Sequence, residues 1–305
     1  MRKLSILLFL AFTVVSTMVG QTVIELRRGG ASVRAKSQAD YGRQLRTPEQ
    51  LREDSLQYID CLTRGYNHLH ADSLPAARQC FERALRLRPE APANHVVHRE
   101  LGKIAMAEGK YAESIEHFDY TLQHNPLDQD ARFQRATCHI ELRHPQQALD
   151  DCQTLFLHAT DTATAVRILF LQSAAHSQLR QYPQVGDDLT QILRMNPLNA
   201  GAQILYAVNL ESLGQPQEAI NRLNLYLSAH PTDVEALSAR ANMHLRQRHP
   251  YLAREDADFI VEISPSPSAY LLRAKILDEI GEKRLAEADR KRARGARGQA
   301  LEKQK

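Results

Sequence analysis

Residues 200–233 read AGAQILYAVNLESLGQPQEAINRLNLYLSAHPTD. Apolar residues recur at helical spacing on both sides of a turn at Leu213-Gly214-Gln215-Pro216, and Pro231 closes the second segment. That pattern predicts a helical hairpin. Counted back from Pro231, Ala207 lies 24 residues before it, Ala219 12, Leu223 8 and Tyr226 5.

The spacing recurs along the chain. The same steps back from Pro89 give Gly65, Ala77, Phe81 and Ala84, and from Pro126 Gly102, Ser114, Phe118 and Thr121. From Pro197 they give Ser173, Val185, Leu189 and Ile192, and from Pro265 Ala241, Ala253, Ala257 and Ile260. A further unit fits with Thr160 in the proline's place, with Ala136, Ala148, Cys152 and Leu155, and a last one carries Ala274, Ala286 and Ala293. Intervals of 34 to 37 residues mark an internal repeat. Small residues at the first two places let antiparallel helices approach, larger apolar residues fill the gap to the next unit, and proline ends the second helix. Asp128, Asn199, Asp233 and Ser266 stand where the next helix needs a cap. Thr47, Pro48 and Gln50 form a helix start of the capping-box kind.

Gly or Ala, Ala, Phe and Pro at these spacings resemble tetratricopeptide repeats. The resemblance implies an all-α fold, an α-solenoid or right-handed superhelix of about seven helix-turn-helix units. The array is expected over 47–296, with units near 58–91, 95–128, 129–162, 166–199, 200–233, 234–266 and 267–296 and a basic polar tail over 297–305. The family's frequent Trp is absent, and the third unit lacks its proline.

The family's first helices line a concave groove for peptides or partner domains. Residues 27 and 23 before each unit's end are the inner positions: Leu62/Tyr66, Arg99/Lys103, Phe133/Thr137, Phe170/Ala174, Ile204/Val208 and Ser238/Asn242. The expected partner-binding residues are therefore Tyr66, Arg99, Lys103, Phe133, Phe170, Ile204, Val208 and Asn242. Phe133, Phe170 and Ile204 would meet apolar side chains, and Arg99 and Lys103 an acidic one. The Lys and Asn pairs with which some relatives clamp a terminal carboxylate are missing, since Leu62 and Tyr66 occupy those places in the first unit.

The N-terminus has its own pattern. Arg2 and Lys3 precede an apolar run over 4–15, followed by small and polar residues to Gly20. This describes a secretory signal peptide over 1–20, too short to span a bilayer comfortably. No cysteine follows the run, so a lipid-attachment signal is missing, and none of the nine asparagines sits in an Asn-x-Ser/Thr sequence, which favours a bacterial envelope. The expectation is a periplasmic or secreted protein with a flexible leader over 21–46. Its partner is expected to be a protein or peptide; contact with a membrane is a minor alternative, through an uncleaved start or the basic C-terminus.

Composition bounds the rest. With 43% hydrophobic residues the chain can build a core, and a net charge of +3 argues against a nucleic-acid binder. Thirteen histidines form no ligand set; His68/His70 and His95/His98 lack further ligands, and surface histidine is the expectation. Cys61 and Cys80 are candidates for a disulfide across the first unit, with buried free thiols as the alternative. No phosphate loop, nucleophile elbow or catalytic triad pattern occurs, so neither an enzyme nor a cofactor is expected.

Overall fold

In the computed structural model residues 47–302 are described, with side chains described through Gly295. The expected signal peptide over 1–20 and leader over 21–46 lie outside the described residues, as does the end of the tail, 303–305. The chain divides into Met1–Glu53, of which 47–53 are described, and Asp54–Lys305, which carries the repeats.

Among the described residues are fourteen α-helices and no strand. They are α1 Pro48–His70, α2 Leu74–Leu87, α3 Asn94–Ala107, α4 Tyr111–His124, α5 Gln129–Glu141, α6 Pro145–Leu157 and α7 Thr162–Gln178. There follow α8 Tyr182–Met195, α9 Ala200–Ser212, α10 Pro216–Ala229, α11 Val234–Arg246, α12 Pro250–Ile263, α13 Pro267–Ile280 and α14 Lys283–Glu302. Taken in pairs they make seven hairpins, and residues 54–302 form an all-α solenoid of helical repeats. The last helix continues through 297–302, where a polar tail is expected from the sequence.

Local chemistry sets the ends. Thr47 N–H donates to Gln50 Oε1 at 2.8 Å and Gln50 N–H to Thr47 Oγ1 at 3.2 Å, the reciprocal capping box. Asp128, Asn199, Asp233 and Ser266 accept from the backbone N–H of Ala131, Ala202, Ala236 and Ala269, and Asp161 does the same for Thr164. Each turn inside a hairpin carries one left-handed residue: Asp72, Gly109, Arg143, Arg180, Gly214, Arg248 and Gly281. The next N–H reaches five residues back round the helix end, as in His144 to His139 and Gln215 to Leu210, satisfying carbonyls that the helix leaves open. Five second helices stop at the residue before a proline (Arg88, Asn125, Asn196, His230, Ser264), where the ring disfavours helical backbone.

The helices of a hairpin cross where the first small residue meets the large residue sixteen later. Size is matched pair by pair. Gly65 faces Phe81 and Gly102 faces Phe118, whereas Ala207, Ala136 and Ala241 stand at the same interval from Leu223, Cys152 and Ala257, and all five of the later residues are fully buried. A Cβ at Gly102 would lie 2.7 Å from Phe118 Cε1, and one at Gly65 2.6 Å from Phe81 Cε1, well inside van der Waals contact. Ser114, at the second small place, spends its hydroxyl on the Gly102 carbonyl at 2.7 Å.

A second fastening uses charge. Arg135, Arg240 and Arg273 each precede the small residue and grip the aspartate sixteen later on their own second helix: Asp151 at 2.9 and 2.5 Å, Asp256 at 3.0 and 2.6 Å, Asp289 at 2.7 and 2.9 Å. The same guanidinium reaches back to the preceding second helix, to Asp119 at 2.6 Å, Asn224 at 2.7 Å and Asp258 at 3.0 Å. One side chain thus joins three helices. Burial disfavours the Asp289 carboxylate, but hydrogen bonds from Arg273 and Arg292 outweigh it and hold its pKa below the usual carboxylate value. In the fifth unit Tyr206 and Arg222 stand at these two places instead, the guanidinium 4.1 Å over the ring.

The steric match is directly testable. Gly102→Ala is expected to lower stability by about 1–3 kcal/mol, because the Phe118 ring has no space to yield. Phe118→Leu in the Gly102→Ala background should recover a large part of that loss. Urea unfolding of the four proteins checks it, and additive effects of the two substitutions would contradict the match.

Candidate functional site

First helices approach one another from unit to unit, α3 to α5, α5 to α7 and α9 to α11, whereas no two second helices pack comparably. The first helices therefore form the inner layer, and the inner positions named from the sequence lie on it. The structure divides those eight residues into four kinds.

Tyr66 is a packing residue. Its ring meets Phe81 edge-on at 5.3 Å, and burial pushes its pKa up to about 12. Arg99 and Lys103 belong to a network with Glu100, Asp128 and Asp130: Arg99 Nη1 lies 3.1 Å from Asp128 and Lys103 Nζ 2.5 Å from Asp130. These cations hold the second unit to the third, so the inner face there is not the free basic patch expected from the sequence. Asn242 donates its amide to the Ser238 carbonyl of its own helix at 2.8 Å.

The remaining four make an apolar stretch. Phe133 is half-buried against Cys152, Leu155 and Ile168, and Phe170 against Leu169, Val185 and Leu189. The Phe170 ring lies beside the first turn of α9, where a Cβ on Gly201 would meet it at 3.7 Å. Ile204 is half-buried, and Val208 is 39% exposed. Leu205, which the two-position rule skips, is 44% exposed beside them. Arg167 is also missed by that rule, and its guanidinium carbon sits 4.4 Å over the Phe133 ring. It stands three residues before Phe170, so reading one more turn along the inner face would have found it. In the seventh unit the exposed Leu271 and Lys275 occupy the corresponding places.

Polar groups outside the inner face differ from expectation. His98 is half-buried: its Nδ1 lies 2.9 Å from His117 Nδ1, and its ring stacks on Tyr120 at 3.8 Å. Burial first, then His117 and His124, pull its pKa down to about 4, and burial lowers that of His117 as well. One ring must donate and the other accept, which requires neutral imidazole. The expectation of surface histidine thus fails here and at His139 and His244, whose Nδ1 atoms are buried without a partner. Among the described residues no group of three His, Cys, Asp or Glu could hold a metal ion. All four cysteines are free thiols, Cys61, Cys138 and Cys152 buried and Cys80 partly so. Burial raises the Cys152 thiol to about 12, an unreactive environment. A shallow cleft of about 440 Å³ between α6, α7 and α8 is lined by Phe156, Leu157, Gln172 and His176 and takes none of the inner-face residues.

Comparison with known proteins bears on the fold. The family described as Tetratricopeptide repeat matches residues 105–169 and 178–243. A tetratricopeptide repeat protein from Parabacteroides merdae ATCC 43184 is similar at 24% identity and a TM-score of 0.68, over 79% of this chain and 93% of that one. MamA (41-end) from Desulfovibrio magneticus RS-1 is similar at 13% identity and a TM-score of 0.52, over 58% of this chain and 97% of that one. No curated protein matches. At these identities the structural likeness is one of fold.

The histidine pair predicts a pH dependence with a definite sign. His98 has a depressed folded-state pKa, so the unfolded chain binds its proton first, and stability is lost as pH falls from about 6.5 toward 4. His98→Phe, which keeps a ring for Tyr120 to stack on, should remove about 1–2 kcal/mol of that loss, after allowance for partial exposure. Denaturation at pH 7 and pH 5 measures it; equal losses in both proteins would contradict the assignment.

Proposed function

The chain is a tetratricopeptide-repeat protein, and from that premise we propose a scaffold without catalytic activity that binds a peptide or segment of a partner protein along its first helices. Tetratricopeptide-repeat proteins bind protein partners in general and are as a rule not catalysts. The observation that carries the reading is the apolar stretch over the third to fifth units. There Leu205 and Val208 are open, while Phe133, Phe170 and Ile204 show one side to solvent and root the other in the core. Exposed apolar side chains that adjoin on one face mark an interaction surface. Rooted aromatic rings are suited to anchoring a partner, because little side-chain freedom is lost on binding.

We place this scaffold in the cell envelope. Support comes from Arg2 and Lys3, the apolar run over 4–15 and Gly20, read together as an export signal. No helix of the described residues is long and apolar enough to cross a membrane. The basic C-terminal segment lends little to a membrane-held accessory for envelope assembly or transport: Arg290, Arg292 and Arg294 pair with Asp278, Asp289 and Glu287.

Two experiments test these assignments. A photo-crosslinking residue at Leu205 or Val208 in cells should yield a partner adduct, and one at Leu225, 76% exposed on the second helix α10, should not. Val208→Asp should weaken binding of that partner roughly 10-fold or more, by burying a charge against Ile204 and Leu205. Adducts only from Leu225 would overturn the groove. For location, N-terminal sequencing of the chain from fractionated cells should give a start near Gln21 in the soluble envelope fraction; an intact Met1 would refute cleavage.

A further inference from the structure

We propose that Arg167 is the anion-recognition residue of this groove, and that the partner segment therefore presents an aspartate or glutamate side chain beside apolar ones. The inference rests on the groove assignment above and specifies its ligand.

Arg167 differs from the other cations of the second to sixth units' first helices, and lies on the apolar stretch, unlike the exposed Lys275 of the seventh unit. On the first helices α3, α5, α7, α9 and α11, every other arginine and lysine has an acidic partner: Arg99, Lys103, Arg132, Arg135, Arg240 and Arg246. Arg167 is exposed and makes no hydrogen bond or ion pair among the described residues. The acid nearest in sequence, Asp161, caps α7, accepting from Thr164 N at 2.8 Å and Thr164 Oγ1 at 2.7 Å. Those hydrogen bonds lower its pKa, and the Arg167 charge adds to this at longer range, without a direct pair.

The side chain is nonetheless placed. A cation–π contact with Phe133 holds the guanidinium over that ring, its carbon 4.4 Å from the centroid. Its N–H groups have no hydrogen-bond partner among the described residues, and the guanidinium fork matches the two oxygens of a carboxylate. The half-buried Phe133 beneath it and Phe170 and Leu171 in the next turn lower the local polarity, which strengthens the attraction for a buried anion. Part of the ordering is already done before binding, so less affinity is lost to it.

The position of Arg167 also favours a side-chain carboxylate over a chain terminus. Apolar groups flank it on both sides, Phe133 on the preceding first helix and Ile204, Leu205 and Val208 on the following one. A segment that covers both flanks runs through the site rather than ending at it. The fitting ligand has an acidic residue with apolar residues on either side.

A phage-displayed library of random twelve-residue peptides, selected on the purified full chain, tests this. Clones that bind wild type and fail on Val208→Asp are the groove binders. Asp or Glu within about four residues of Leu, Ile or Phe is expected among them. For a synthetic groove binder, Arg167→Ala should weaken binding roughly 10-fold, as should replacing the peptide's acid by its amide. The two losses should not add, and Arg167→Lys should fall between. Selection on Arg167→Glu should turn toward Lys and Arg. Groove binders with no acidic preference, or unaffected by Arg167→Ala, would overturn the inference and leave the groove standing. Binding lost when the peptide's C-terminus is amidated would assign the anion to a chain terminus and refute the side-chain form. A library with no clone sensitive to Val208→Asp would overturn the groove assignment and this inference together.

Discussion

Everything in the array depends on how closely the two helices of a hairpin can cross. That distance is set by one pair of residues sixteen apart, and the pair is matched for size rather than identity. Where Phe81 or Phe118 fills the crossing, glycine must face it, since a Cβ would lie within 2.7 Å of the ring. Where leucine, cysteine or alanine does, alanine is tolerated, as at Ala207, Ala136 and Ala241. A close crossing buries the small residue and directs the larger apolar residues outward to the next unit. Hence no hairpin can cover its own apolar face, and stacking follows as the way to remove it from water.

Charge settles how neighbours register. Arg135, Arg240 and Arg273 each hold an aspartate of their own hairpin and a polar oxygen of the preceding one. Buried ion pairs are weak sources of net stability, because desolvation offsets most of the attraction. Their geometry is demanding, however: the fork must meet a carboxylate within its own unit while its free edge meets an oxygen of another helix. A sliding or rotated neighbour would leave the pairs with Asp151, Asp256 and Asp289 intact but cost each guanidinium its contact with Asp119, Asn224 or Asp258 on the preceding hairpin. The arginines therefore act against misregistered stacking more than for stability as such.

How much of this was legible in the sequence follows from how local each feature is. Caps, turns and the repeat spacing depend on residues within a few positions or at one fixed interval, and Thr47, Asp128, Asn199, Asp233 and Ser266 all act as their position in the sequence suggests. The small-to-large crossing lies at a constant interval, so it too could be read. The first helices that carry the expected inner positions could be read, but the electrostatics around those positions could not. Arg99 looks like a free cation until Asp128, twenty-nine residues on, is brought 3.1 Å from it. His98 resembles a surface residue until His117, nineteen residues on, meets its ring nitrogen. Such pairings depend on which way neighbouring helices turn their faces, and a spacing rule based on two positions per helix carries none of that. Arg167 and Leu205 were missed for a simpler reason: the inner face is wider than two positions.

The distribution of charge over the inner layer has a consequence for recognition. Its cations are almost all committed, Arg99 and Lys103 to the junction of the second and third units and Arg246 to Glu211. Committed charges contribute little to long-range attraction, since each is screened by a partner a few ångströms away. A ligand therefore meets a surface that is electrostatically quiet along most of its length and apolar over the third to fifth units. On such a surface the Arg167 guanidinium, 4.4 Å over the Phe133 ring and without a direct acidic partner, is the feature proposed to distinguish one apolar segment from another. The residues that build the crossing are buried beneath it, so the outward face can vary while the packing is preserved.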